Sequence, residues 1–350
     1  MSLALLLPGP IDQLTGGYLF ARNVVDRLRT RGNPIEVIEL AGRFPDADAK
    51  ARAACAAALA RLPKGAHAVI DGLALAGFAE CLAPEAVRLR LIVWVHHPLA
   101  DETGLSPADH ARFHALESAL LPLFRGAICP SRCTAAAVAG YGVAPARIAV
   151  ASPGTDKPVR PRTRSKPDGI LRLLSVATVT PRKGHLVLVE ALARLQRDDW
   201  RLDCIGSTTR DPAHVAALRM AIAARGLEAR VTLYDEIPHE ALGTAYDMAD
   251  LFVLPSFHEG YGMAFAEALA HGLPIVGSSA GAIPETVPTS AGILVPPGDP
   301  AALAGAFVRL LDDRALLGRL AQGATAAGAA LPDWDRAVAH WQREIERLFA

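Results

Sequence analysis

The chain predicts an α/β protein built from two doubly wound parallel sheets, on two observations. Short apolar strand-like runs alternate with helical patterns from the first residues onward, and after a polar interruption near residue 160 the same alternation begins again. With 350 residues, 51% of them hydrophobic, the chain can bury two cores, and its length favours two domains.

In the first half the strand runs are Leu3 to Leu7, Ile35 to Glu39, Ala68 to Asp71, Leu89 to Val95, Ala127 to Cys129 and Arg147 to Ala151. Helical stretches such as Tyr18 to Arg29, Asp48 to Leu62 and Ala108 to Leu121 separate them. Residues 1–156 are therefore expected as one Rossmann-like domain. Residues 157–169 hold Pro158, Pro161 and Pro167 and almost no apolar side chain, which predicts an exposed linker. A second set runs through Leu173 to Val176, Leu202 to Ile205, Val231 to Tyr234, Leu251 to Leu254, Ile275 to Val276 and Ile293 to Val295, so 170–330 is expected as the second domain. Residues 331–350 close the chain with a helix over Asp333 to Leu348. Its Trp334, Val338, Trp341, Ile345 and Leu348 fall at helical spacing and read as packing anchors.

Composition excludes several classes. Thirty-six basic against 36 acidic residues argue against a general nucleic-acid binder. The five cysteines are scattered and odd in number, and Cys129-x3-Cys133 lacks a second Cys/His pair at zinc-ligand spacing, so no metal is expected. Met1 to Leu7 reads as the first strand and not a signal peptide, since no basic stretch precedes it and Pro8-Gly9-Pro10 stops it. No apolar run approaches the roughly 20 residues that span a bilayer. A cytoplasmic protein is expected. Arg22, Arg27, Arg29 and Arg31 leave two readings open, a basic edge for peripheral contact with anionic lipid at the inner membrane face or a solvated surface.

The most informative stretch is Pro255 to Pro274, which places two glutamates eight positions apart around a helix start. Asp250 to Leu254 reads as a buried strand, and Gly260 and Gly262 free the backbone to turn into a helix ending at Gly272. Glu259 then lies just before a helix N-terminus, at the mouth of the expected site, and Glu267 lies inside it. An ionised carboxylate within Ala-Phe-Ala-Glu-Ala-Leu-Ala needs hydrogen-bond donors, either ligand hydroxyls or a structural arginine. A helix N-terminus with its unpaired amides suits a phosphorylated, polyhydroxylated ligand.

This stretch, with Pro274 to Ser278, Gly281 to Glu285 and Gly292 to Asp299 following in order, resembles the C-terminal nucleotide-sugar domain of the GT4 family of retaining glycosyltransferases, whose E-x7-E motif Glu259 and Glu267 match. The resemblance implies the GT-B fold, two Rossmann-like domains facing a central cleft. It implies a nucleotide-diphosphate sugar as donor substrate with no resident cofactor and no divalent metal, and transfer to an acceptor hydroxyl with retention. Glu259 would bind sugar hydroxyls beside the backbone of Gly260, Met263, Ala264 and Phe265, and Glu267 the ribose.

After the strand Leu173 to Val176, Arg182 and Lys183 stand at a helix N-terminus, where two cations are disfavoured unless an anion lies between them or water solvates both. By resemblance Lys183-Gly184 is the diphosphate contact. The family's Gly-Arg pair is replaced here by Ala177-Thr178, so Arg182 would supply the charge and Thr178 a hydrogen bond. Gly16 and Gly17 of the first domain, and Ser207 after a strand of the second, match donor-facing loops of the family. Strand Leu89 to Val95 ends in His96-His97, and one of the two should face the ligand crevice. His96 is preferred, which makes His96, Lys183 and Glu259 the expected catalytic set. Asp12 and Glu102 leave two readings open, orientation of an acceptor hydroxyl or plain loop carboxylates. The product class implied is a cell-surface glycan, glycolipid or metabolite glycoside, with the acceptor (glycan, lipid or small molecule) undetermined. A nucleotide-sugar 2-epimerase and a non-catalytic GT-B binding subunit are the alternatives.

Overall fold

The computed structural model describes residues 3–158 and 169–350, so the linker expected over 157–169 lies mostly outside the described residues. The chain divides into two compact units, Met1–Gly154 with Pro332–Ala350, and Thr155–Leu331.

In the first unit the order is β1 (Leu3–Pro8), α1 (Gly16–Thr30), β2 (Ile35–Leu40), α2 (Ala49–Arg61), β3 (His67–Asp71), α3 (Leu82–Arg88), β4 (Arg90–Trp94), α4 (Pro107–Leu120), β5 (Gly126–Cys129), α5 (Arg132–Gly140) and β6 (Ile148–Val150). The strands form one parallel sheet in the order β2-β1-β3-β4-β5-β6. β1 is buried at every position, as a continuous apolar run covered on both faces must be. β2 lies at the edge and exposes Glu36 and Glu39.

The second unit runs β7 (Leu171–Val176), α6 (His185–Ala193), β8 (Trp200–Ile205), α7 (Pro212–Ala224), β9 (Val231–Tyr234), α8 (His239–Met248), β10 (Leu251–Leu254), α9 (Met263–Ala270), β11 (Ile275–Ser278), α10 (Ile283–Thr286), β12 (Gly292–Val295), α11 (Pro300–Asp312) and α12 (Arg314–Ala330). Its parallel sheet has the order β12-β11-β10-β7-β8-β9. The expected doubly wound α/β class is what the backbone shows. In each sheet the strand order reverses once, between β1 and β3 and between β7 and β10, and ligand crevices form at such reversals.

The last helix, α13 (Trp334–Phe349), belongs to the first unit. Trp334, Val338, Trp341, Ile345 and Leu348 are all buried. Trp341 packs on Trp94 with ring centroids 5.2 Å apart, and Trp334 lies 5.9 Å from Phe20. Asp335 pairs with Arg27 at 3.5 Å and Arg31 at 3.3 Å, so two of the four arginines of the expected basic edge are committed inside the unit.

Candidate functional site

At the reversal of the second sheet, β7 and β10 are hydrogen-bonded neighbours, and the loops that leave them meet. The loop after β7 makes a 3-10 turn over Pro181–Lys183 and reaches α6 through Gly184, whose φ of 71° is left-handed. A Cβ at Gly184 would collide with the Pro255 carbonyl oxygen of the other loop, so glycine is what lets the two loops touch. The Phe257 amide then donates to the Arg182 carbonyl at 2.7 Å, and the Arg182 guanidinium donates to the His258 carbonyl at 2.9 Å.

These contacts bring three charges together. Lys183 Nζ donates to Glu259 Oε1 at 2.6 Å, Ser256 Oγ donates to the same oxygen at 2.7 Å, and Arg182 lies 3.7 Å from Glu259 Oε2. The Glu259 backbone is fixed as well, its carbonyl accepting from the Ala282 amide at 2.8 Å. Burial alone would raise the Glu259 carboxyl, but Lys183 and Arg182 outweigh it and hold the group below the ordinary carboxylate range. Two cations thus converge on one buried carboxylate, and groups of this kind are ligands for an anion.

Four residues beyond Glu259, α9 opens from Gly262 at φ 87° with no side-chain cap. The Phe265 and Ala266 amides both turn back to the Gly262 carbonyl, at 3.0 and 3.2 Å, so Met263 and Ala264 head the helix with first-turn amides. The expectation put Glu259 at the mouth and Glu267 inside. The structure reverses this: Glu259 is buried and Glu267 half-buried. Phe265, Ala266, Ala268 and Leu269 form the core face of α9, and Glu267 falls to its side. There it accepts a hydrogen bond from the Tyr246 hydroxyl of α8 at 2.8 Å.

The neighbouring loops are tied edge to edge. The Ala177 amide donates to the Ile205 carbonyl at 2.9 Å and the Val179 amide to the Ser207 carbonyl at 3.0 Å, which sets half-buried Thr178 beside buried Ser207. Ser207 Oγ lies 3.2 Å from Thr209 Oγ1, inside its own loop. Asp235 Oδ1 accepts from the Thr208 amide at 3.0 Å and the Glu236 amide at 2.9 Å, and these bonds hold its carboxyl below the usual range. The Asp235 carboxylate therefore staples the β8 and β9 loops together.

In the first unit, Gly16 and Gly17 open α1, and the His96 ring lies over Gly17, close enough that a Cβ there would be 3.3 Å away. Buried Asp71, at the end of β3, accepts from the Leu73 amide at 2.8 Å and sets Oδ2 3.3 Å from His96 Nε2, within ion-pair reach but off the hydrogen-bond direction. His97 turns elsewhere, with Nε2 3.2 Å from Glu102 Oε2, while Glu102 Oε1 accepts from the Thr103 amide at 3.0 Å. Of the two histidines, His96 thus joins the loops at the reversal of the first sheet. Asp12 is exposed.

The expected residues group as Arg182, Lys183 and Glu259 in one cluster, Thr178 and Ser207 in an adjoining pair of loops, Glu267 on α9, and Gly17 with His96 in the other unit. Sequence reasoning missed Asp71, Ser256 and Tyr246. Asp71 carries a faint signal, a charge closing an apolar strand, and Ser256 stands three positions before the Glu259 that it bonds, a legible spacing; Tyr246 acts on a partner 21 positions away that no spacing rule links. Among the described residues no group of three or more His, Cys, Asp or Glu side chains is placed to hold a metal, and no helix is long and apolar enough to cross a membrane.

Residues 171–313, most of the second unit, match the family model described as Glycosyl transferases group 1. The D-inositol 3-phosphate glycosyltransferase of Corynebacterium efficiens is 33% identical over 201 residues, covering 53% of this chain and 47% of that protein. The amylovoran biosynthesis glycosyltransferase AmsK of Erwinia amylovora is 38% identical over 148 residues, covering 40% of this chain and 36% of AmsK. The chain thus spans about half, or less, of the length of these curated relatives. Among solved structures, sucrose-phosphate synthase from Thermosynechococcus elongatus matches 99% of both chains with a TM-score of 0.81 at 21% identity. HepE from Anabaena, in complex with UDP and glucose, matches 99% of this chain and 100% of its own with a TM-score of 0.75 at 18% identity. Both units have the folds of GT-B glycosyltransferases, and residues 171–313 of the second unit are similar to the glycosyl transferases group 1 family.

Proposed function

We propose that this chain is a retaining glycosyltransferase that binds a nucleotide-diphosphate sugar in its second unit and moves the sugar to an acceptor hydroxyl without a metal. The observation that carries this reading is the cluster of Lys183, Arg182 and buried Glu259, just ahead of the N-terminus of α9, which has no side-chain cap.

Lys183 and Arg182 neutralise the charge that grows on the leaving diphosphate. Glu259, fixed through its backbone and by Ser256, accepts from sugar hydroxyls, and Glu267 accepts from the ribose. The bond from the anomeric carbon to the phosphate oxygen breaks, the bond to the acceptor oxygen forms on the same face, and the acceptor proton passes to the leaving phosphate. His96, beside Gly17 and Asp71, borders the acceptor or the transferred sugar. HepE in its complex with UDP-glucose supports a uridine donor as the first to try, and relatives named D-inositol 3-phosphate glycosyltransferases support a phosphorylated polyol as the first acceptor. A cytoplasmic setting, with peripheral contact at the inner membrane face, fits a donor of this kind.

The test is product analysis by NMR with UDP-, GDP- and ADP-sugars and a polyol phosphate, in the presence of a chelator. Release of nucleoside diphosphate with retained anomeric configuration supports the reading. Conversion of the donor to its epimer with no acceptor, or inert donors throughout, overturns it.

A further inference from the structure

The E-x7-E reading leaves unexplained how Glu267 is aimed. It is half-buried on the flank of α9, and a glutamate side chain there has three torsions to settle before it can take a ligand in one geometry. Tyr246 gives one carboxylate oxygen a fixed partner. Its side chain is buried on α8, and its hydroxyl donates to Glu267 Oε2 at 2.8 Å. The ring is itself held: it stacks on His271 with centroids 5.0 Å apart and interplanar angle 20°, and lies 6.1 Å from Phe252. His271 Nδ1 in turn lies 2.7 Å from Asp247 Oδ1. Residues 246 and 247 of α8 thus face 267 and 271, one helical turn apart, through two parallel polar links.

We infer that Tyr246 is a positioning residue for nucleotide recognition, holding Glu267 in the one orientation in which its carboxylate reads the ribose hydroxyls of the donor. This rests on the donor-site reading above and extends it to a residue with no part in the E-x7-E pattern. Burial, then the Glu267 carboxylate, push the Tyr246 hydroxyl well above its ordinary pKa, so it remains a donor at any pH the protein meets. A phenylalanine keeps the ring, its stacking and its volume and removes only the hydrogen bond. Glu267 would then lose the partner of its Oε2, and its preference for a ribose over a deoxyribose would fall.

The test is calorimetric binding of UDP, GDP and ADP and of their 2′-deoxy counterparts to the wild type, Tyr246→Phe, Glu267→Ala and the double variant, with thermal unfolding as a control. For the nucleotide that binds, Tyr246→Phe is expected to lose about tenfold in ribonucleotide affinity and little for the deoxynucleotide, with a near wild-type Tm. In the Glu267→Ala background the same change is expected to do nothing further, because the two act as one unit. An unchanged ribose-to-deoxyribose ratio in Tyr246→Phe, or additive losses in the double variant, overturns the inference alone. Failure of the wild type to bind any of the six overturns it together with the donor-site reading.

Discussion

Two buried glutamates, Glu259 in the second unit and Glu117 in the first, are almost equally hidden, at 7% and 2% exposure, yet their carboxyls move in opposite directions. Glu259 is answered by cations. Glu117, on α4, is answered by backbone: its two oxygens accept from the consecutive amides of Leu99 at 2.6 Å and Ala100 at 3.1 Å, and burial still pushes it up to about 7. Among the amide-held carboxylates of the first unit, Glu102 and Glu117 shape the turn that follows His96 and His97, and Asp71 the turn that follows β3. The ion-held carboxylate of the second unit keeps two cations aimed at one place. Backbone amides satisfy a carboxylate's lone pairs but carry no net charge, whereas Lys183 and Arg182 bring two cationic groups to Glu259.

The comparison can be broken from either side. Trp341→Ala should do the most to the first unit, since Trp341 is fully buried against Trp94, the last residue of β4 and two positions before His96. A loss of about 4 kcal/mol is expected in chemical denaturation. Lys183→Ala strikes the second unit's cluster. It leaves buried Glu259 with Arg182 at 3.7 Å, and should cost about 3 kcal/mol of stability and on the order of a hundredfold in donor turnover.

Glu117→Gln sharpens the contrast through pH. The folded Glu117 carboxyl titrates near 7 and the unfolded one near 4.5, so the folded state holds the extra proton between those values. Stability from this group is therefore present at pH 5 and lost as pH rises through 7. The advantage of wild type over Glu117→Gln should shrink by about 2 kcal/mol from pH 5 to pH 8, measured by urea titration at each pH. The Tyr141 hydroxyl, which bonds Glu117, is raised above its ordinary value by burial and then by Glu117, so it stays protonated across that window. Asp71→Asn should have the smallest effect, about a tenfold lower transfer rate at unchanged donor affinity, because it disturbs the aim of His96 and nothing in the second unit. Equal losses in rate and affinity would show that Asp71 supports the fold more widely.

The sheets were readable because parallel strands are near-continuous apolar runs, as in Leu3 to Leu7 and Leu251 to Leu254. Glu259 and Glu267 were readable through their spacing and the glycines between them. Their relative burial was not, because it depends on which side of α9 meets the core. Tyr246 and Glu267 stand 21 positions apart across β10, and Glu117 lies 17 and 18 positions from the amides it holds. Such pairs form only once strands and helices have stacked, and no local periodicity encodes them.

We propose the ion cluster at the β7 and β10 loops as a nucleoside-diphosphate site. A calorimetric titration of UDP, GDP and ADP into the wild type and Lys183→Ala, in chelator, tests it most directly. One nucleotide binding the wild type and losing at least tenfold in the variant is the predicted result. Binding that ignores the loss of Lys183 would contradict it.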